Sequence, residues 1–297
     1  MAVRSRGAAL AFVAPSLLCL AGAVGYPLVD AVTTSLYRWN LISGHKRWYG
    51  LQNYIDIAQD PGTARVAIVT ALYSGLSVVL ELALGFALAL IFREGLSRRL
   101  RGFAGLRVIL CVPIVIAPLI WAFYFRSMYS PQFGAFNVVL GWFGAAPVAW
   151  VNSPALALYS LVVADVWQWA PFMFAVILAG MLTLPGDVVE AARVDGASWT
   201  QVLWWIELPL LQPILLVAVL LRLIDSIKNI DLILVITQGG PGTSTEILNF
   251  FAYRTSFQDF QIGRGAALAV IVLALILVLV IVLLGTLRRL NLTEKEA

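Results

Sequence analysis

The stretch PGDVVEAARVDGASWTQVLWWIELP, residues 185–209, is a charged, small-residue segment set between two long apolar runs. Asp187 is placed to cap a short helix starting near Val188, and Glu190 three residues later completes a capping-box spacing. Gly196 is free to take a backbone conformation that ends or bends that helix. Val202, Leu203, Trp205 and Ile206 recur at helical spacing, which predicts a second helix lying along a membrane surface before Pro209. The product is a helix–turn–helix elbow. Ala191, Ala192 and Ala197 let another surface approach closely, while Glu190 and Asp195 offer it charge. The plainer alternative is an interfacial loop that only links two spans.

Outward from the elbow the chain is too apolar for a soluble domain. It is 61% hydrophobic and 12% charged, with a mean hydropathy of +0.90, so too little charge remains to cover a water-facing surface. Apolar runs near 8–29, 66–92, 107–125, 155–180, 210–236 and 265–287 reach the roughly 20 residues needed to cross a bilayer as helix. These predict an all-α integral membrane protein with six transmembrane helices. The first run follows Arg4 and Arg6 and has features of a signal peptide, but it is longer than one and contains Pro15, so a retained helix is expected. Cys19 and Cys111 lie within apolar runs and read as small hydrophobes rather than a disulfide framework.

Basic residues set an orientation. Arg4, Arg6, Arg93, Arg98, Arg99, Arg101, Arg107, Arg193, Arg288, Arg289 and Lys295 fall on one side of the six spans. Arg38, Lys46, Arg47, Arg65, Arg126, Arg254 and Arg264 fall on the other. The first set marks the cytoplasmic face, which places both termini and the elbow inside the cell, in an inner (plasma) membrane. The basic residues form no single stripe, which excludes nucleic acid as a partner and leaves lipid. In the outer loop 30–65, Trp39, Trp48, Tyr49 and Tyr54 suit the headgroup level or a partner surface.

Catalytic chemistry finds no footing. Gly239–Ser244 has the glycines of a phosphate loop but no lysine to reach a phosphate. His45 is the only histidine and lies in an outer loop, so neither a metal site nor a histidine-based triad is expected. Polar groups inside the spans point instead to a passage or to structural ion pairs. Arg222, Asp225 and Asn229 share one face of the fifth span, with Arg222 and Asp225 spaced for an ion pair. Trp121, Tyr124, Asp165, Trp167, Gln168 and Trp169 combine flat apolar faces with hydrogen-bonding groups, which suits a passage for a polar solute. The alternative for the tryptophans is anchoring at the membrane interface. Glu81 in the second span either relays protons, as in an ion-coupled carrier, or pairs with a base such as Arg222. Gly75, Gly85 and Gly180 are expected to permit close helix packing.

Taken together, Glu190, Ala191, Ala192, Asp195, Gly196, Ala197, Ile206, Leu208, Pro209 and Pro213 resemble the coupling loop, written EAA…G…I.LP, of permease subunits of binding-protein-dependent ATP-binding-cassette importers. An aromatic residue often precedes the family's glutamate, where this chain has Val189. Gly50-Leu51-Gln52-Asn53-Tyr54, Val112-Pro113, Trp169 with Pro171, and Gly239-Gly240-Pro241 are similar to the sugar branch, in particular its MalF-like subunits. The resemblance covers roughly residues 8–290 and implies the type I (MetI-like) permease architecture. It implies residues 1–65 as a first helix and outer loop, 66–290 as the core permease carrying the 185–209 coupling loop, and 291–297 as a cytoplasmic tail. It further implies a second, MalG-like permease, a pair of cytoplasmic ATP-binding subunits and an extracytoplasmic solute-binding protein. ATP and Mg would reside on the ATPase partners, with no cofactor in this chain. The rival is an ion-coupled secondary sugar transporter.

Overall fold

The computed structural model describes residues 6–97 and 102–296. Arg4 and the Arg98-Arg99-Leu100-Arg101 cluster, both used above as orientation signals, lie outside the described residues. The chain divides into two compact units, Met1–Ala64 with Phe251–Ala274, and Arg65–Phe250 with Leu275–Ala297.

The first unit opens with α1 (Arg6–Leu20), which passes through a π turn at Ala21–Gly25 into α2 (Tyr26–Ser35). A hairpin follows, pairing β1 (Tyr37–Trp39) with β2 (Lys46–Trp48) in antiparallel register, Arg38 opposite Arg47. The hairpin, with strands of three residues each, is a small addition to an otherwise all-α fold. It is capped by α3 (Gln52–Gln59), whose Asn53 donates to the carbonyls of Ser35 and Tyr37 at 2.8 and 2.9 Å.

α4 (Pro61–Ser97) runs from the first unit into the second. At 1.5 Å per residue it is about 55 Å long, well beyond a hydrocarbon core of about 30 Å. α9 (Ala157–Thr183) and α12 (Leu208–Lys228) complete the packed centre of the second unit, and α15 (Ile262–Glu296) is the last long helix. Between them lie α5 (Phe103–Leu110), α6 (Val112–Val115), α7 (Pro118–Met128) and α8 (Ala135–Trp142). The remaining elements are α10 (Gly186–Val194), α11 (Trp199–Val202), α13 (Asp231–Ile236) and α14 (Leu248–Phe257).

The core joins Val78, Ala89 and Phe92 of α4 to Met173, Phe174 and Ile177 of α9 and to Leu211 and Ala218 of α12. Lipid is as apolar as these side chains, so close packing rather than escape from water holds the helices together. Gly85 shows how close they come. A Cβ there would stand 2.6 Å from the Met173 Cβ and 2.7 Å from the Phe174 nitrogen. Gly180 is pressed in the same way by Leu211 and Ile214, whereas Gly75 faces open space and does not mark a helix contact.

Among the described residues, five helical stretches are long and apolar enough to cross a membrane: Phe12–Ser35, Pro61–Leu96, Ala157–Thr183, Trp199–Ile236 and Ile262–Arg288. The span expected at 107–125 is instead broken into α5, α6 and α7. Its prolines explain the break. Pro113 starts α6, and Pro118 forces the preceding Ala117 into extended backbone at ψ 134°, next to Ile116 at ψ 128°. The carbonyl of Ile116 is satisfied by the Gln168 side chain at 3.1 Å, as a break within lipid requires.

Candidate functional site

The elbow is built by two different end signals. α9 stops where Leu184 turns extended before Pro185. α10 then begins with Pro185 as its cap residue and no side-chain cap bond, so Asp187 and Glu190 do not form the expected capping box. Asp187 sits inside the first turn, where its charge still favours the helix dipole. The capping box occurs one loop later. Ser198 accepts from the Gln201 backbone, while the Gln201 side chain accepts from the Ser198 N–H at 2.8 Å.

Gly196 makes the turn between these helices. Its φ is +84°, and the following Ala197 N–H returns to the Ala192 carbonyl at 2.9 Å, closing α10 in a Schellman-like loop. A side chain at 196 would meet nothing within 4 Å. The requirement for glycine is therefore one of backbone, worth about 1–2 kcal/mol for an L-residue held left-handed.

Past the capping box the chain does not form a separate surface helix. α11 passes through a π turn at Leu203–Glu207 directly into α12, one helical run from Trp199 to Lys228. Val202 and Leu203 are buried, while Trp205 is 80% exposed. Glu207, only 3% exposed, is paired with Arg93 at the far end of α4 at 2.6 Å. No residue of α10 is buried, and Val194 is 87% exposed. Glu190 and Asp195 are exposed and form no ion pair with a described residue. The elbow thus presents apolar and acidic groups outward from a rigid turn, with its base tied to α4 and α12.

A second constellation lies inside the bundle. The Arg222 guanidinium is bidentate to Glu81, Nε to Oε2 at 2.7 Å and Nη2 to Oε1 at 2.6 Å. Nη2 also reaches Asp165 at 3.2 Å, and Nη1 reaches Asp225 at 2.9 Å. Trp169 covers the guanidinium, 4.5 Å from its ring centre. Asn229 donates to Tyr73 and Asp165 at 3.2 and 3.3 Å. This network pins α4, α9 and α12 together. Glu81 is engaged with Arg222 and is not a free mid-span carboxylate, which removes the observation that favoured an ion-coupled carrier.

The other sequence candidates lie outside this network, Trp121 and Trp167 both packing on Phe125. Trp121 is buried and packs edge-on against Phe125, and Gln168 is spent on the α6–α7 break. Tyr124 and Trp167 are 64% and 44% exposed. Asp165, Trp169, Arg222, Asp225 and Asn229 come together; Trp121, Tyr124, Trp167 and Gln168 do not join them. Tyr73 and the Arg93–Glu207 pair escaped the sequence reading. An acid in an otherwise apolar stretch before Leu208-Pro209 was the one signal for Glu207.

Residues 81–291 match the family of binding-protein-dependent transport system inner membrane components. The chain belongs to that family. It is 35% identical over 264 residues to the trehalose/maltose transport system permease protein MalF of Thermococcus litoralis, covering 89% of this chain and 88% of the relative. Its fold matches a subunit of a bacterial alginate ABC transporter, solved with an alginate pentasaccharide-bound periplasmic protein. The TM-score is 0.83 at 21% identity, over 97% of this chain and 96% of that one. A more distant match, with a TM-score of 0.56 at 16% identity, is the MetNI methionine ABC transporter, over 76% of this chain and 95% of that one. The architecture is that of a multi-pass, MetI-like permease, and the chain is a non-catalytic membrane subunit of such a transport system.

Proposed function

We propose that the chain forms half of the translocation pathway of a carbohydrate importer and is worked by separate cytoplasmic ATPase subunits. The observation that carries this reading is the elbow, whose Gly196 is exposed with open space about its Cβ position while its base runs unbroken into α12. Glu190, Ala191, Ala192, Asp195, Gly196 and Ala197 are the coupling surface. ATP and Mg act on the partner subunits, closure of which displaces the elbow and shifts the permease between two states. A MalG-like second permease supplies the other half of the passage, and an extracytoplasmic binding protein delivers a disaccharide, oligosaccharide or related glycoside. The trehalose/maltose and alginate relatives support that class. Residues 66–290 act as the core permease, and the passage borders the exposed side of the Arg222 network, at Asp225 and Asn229.

A crossing at the proline-broken α5–α7 stretch, added to the five continuous spans, would bring both termini to one face, and the bias of basic residues assigns that face to the cytoplasm of an inner membrane. Proteoliposomes holding the assembled transporter and its binding protein test the reading with labelled trehalose, maltose and alginate oligosaccharides. Uptake should require internal ATP and survive ionophores that collapse ion gradients. Gradient-driven uptake without ATPase subunits would replace this reading with the secondary transporter.

A further inference from the structure

The unit formed by Met1–Ala64 and Phe251–Ala274 contains a cavity of ≈ 870 Å³ beside the hairpin. Arg38, Lys46, Arg47 and Arg264 are on its wall, together with Trp39 and Tyr49. Arg264 is neutralised by Asp60, whose carboxyl is held below the usual carboxylate range by the Gly62 N–H and by Arg264 itself. Asp56, also on the wall, is occupied by the Tyr49 hydroxyl at 3.1 Å and Gln52 at 2.9 Å. Arg38, Lys46 and Arg47 have no carboxylate partner among the described residues. Aromatic faces position two of them. Lys46 Nζ lies 4.7 Å from the ring centres of both Tyr37 and Trp39, and Arg38 lies 5.5 Å from that of Tyr49. Such contacts hold a cation without cancelling its charge.

The place of the cavity along the chain narrows its occupant. α2 ends at Ser35, α4 begins at Pro61 and α15 begins at Ile262, each within a few residues of the cavity wall. All three belong to stretches long and apolar enough to cross a membrane, so the cations stand near the ends of those stretches. Ile42 on the wall is 75% exposed, and nearby Leu41 and Leu51 are 53% and 66% exposed. Cations, aromatic rings and bare aliphatic groups side by side at one cavity match an amphiphile whose head is anionic.

We propose that this cavity binds the phosphate of an anionic phospholipid headgroup against Arg38, Lys46 and Arg47, with the lipid chains lying along the exposed aliphatic side chains. The site does not depend on which face of the membrane the hairpin occupies, nor on the transported solute. Native mass spectrometry of the assembled, detergent-purified transporter tests it, with phosphatidylglycerol and phosphatidylcholine as probes. Phosphatidylglycerol should be retained about tenfold more tightly. Arg47→Gln, at an exposed residue with no ring contact, should weaken that retention about fivefold while leaving thermal stability unchanged. The triple variant R38Q/K46Q/R47Q should erase the preference. Equal retention of the two lipids, or full retention by Arg47→Gln, overturns the proposal. Displacement by glycerol phosphate or inorganic phosphate would assign the site to a soluble anion, and displacement by an acidic binding protein would assign it to protein docking. Either result also overturns the lipid assignment.

Discussion

Replacing Arg222 with leucine strands two fully buried carboxylates, Glu81 and Asp165, between α4 and α9. Removing one member of a buried ion network costs about 3–5 kcal/mol, because the partners stay desolvated. Asp225 sits at the network's edge with its side chain 46% exposed, so Asp225→Asn should cost less than about 1 kcal/mol. Thermal unfolding of the two variants in detergent should therefore separate them clearly; equal losses would mean the network is not the pin described. Only part of this was legible beforehand. Arg222 and Asp225 are three residues apart on one helix, so their pairing follows from helix geometry. Glu81 lies 141 residues away from Arg222, and no local pattern distinguishes a paired carboxylate from a proton relay. Gly85 and Gly75 posed the same problem. Both read as packing glycines, and only the position of α9 shows that one is contacted and the other is not.

At the scale of elements, the Arg93–Glu207 pair joins the end of α4 to the π turn at the base of the elbow. In the proposed cycle this tie would carry the second span along with the elbow, which an elbow fixed only to α12 would not do. Arg93→Gln and Glu207→Gln should each reduce ATP-driven uptake, and the double variant should be no worse than the weaker single. That corresponds to a coupling energy of about 1 kcal/mol or more in the double-mutant cycle. Strictly additive losses would show that the two residues act separately. Long apolar helices were the easiest elements to read, because length and composition alone identify a membrane span. The broken α5–α7 stretch was not, since its apolar run masks the effect of Pro113 and Pro118 until Ile116 and Ala117 are seen extended. The hairpin was hidden for the opposite reason. Its strands are three residues each, too short for an alternating pattern to stand out.

For the whole molecule, the chain folds around an interior that is locked by ions and an elbow that is left bare. The ion network ties α4, α9 and α12 together, so in the proposed cycle a force applied at the elbow would be passed on to them. At the elbow the Gly196 turn was legible, because a glycine at positive φ depends on its neighbours in sequence, whereas the separate surface helix was not, since that stretch runs on into α12. The elbow's cap was misplaced by one loop, since Asp187 and Ser198 both satisfy the same spacing rule and only one is used. The measurement that bears most directly on the account is a cysteine crosslink from Ala197→Cys, made in a Cys19→Ser, Cys111→Ser background of the assembled transporter in native membranes. The account predicts a crosslink to a cytoplasmic ATPase subunit whose yield changes when ATP is bound. Labelling of that cysteine by an impermeant reagent added outside intact cells, or a crosslink profile indifferent to ATP, would contradict it.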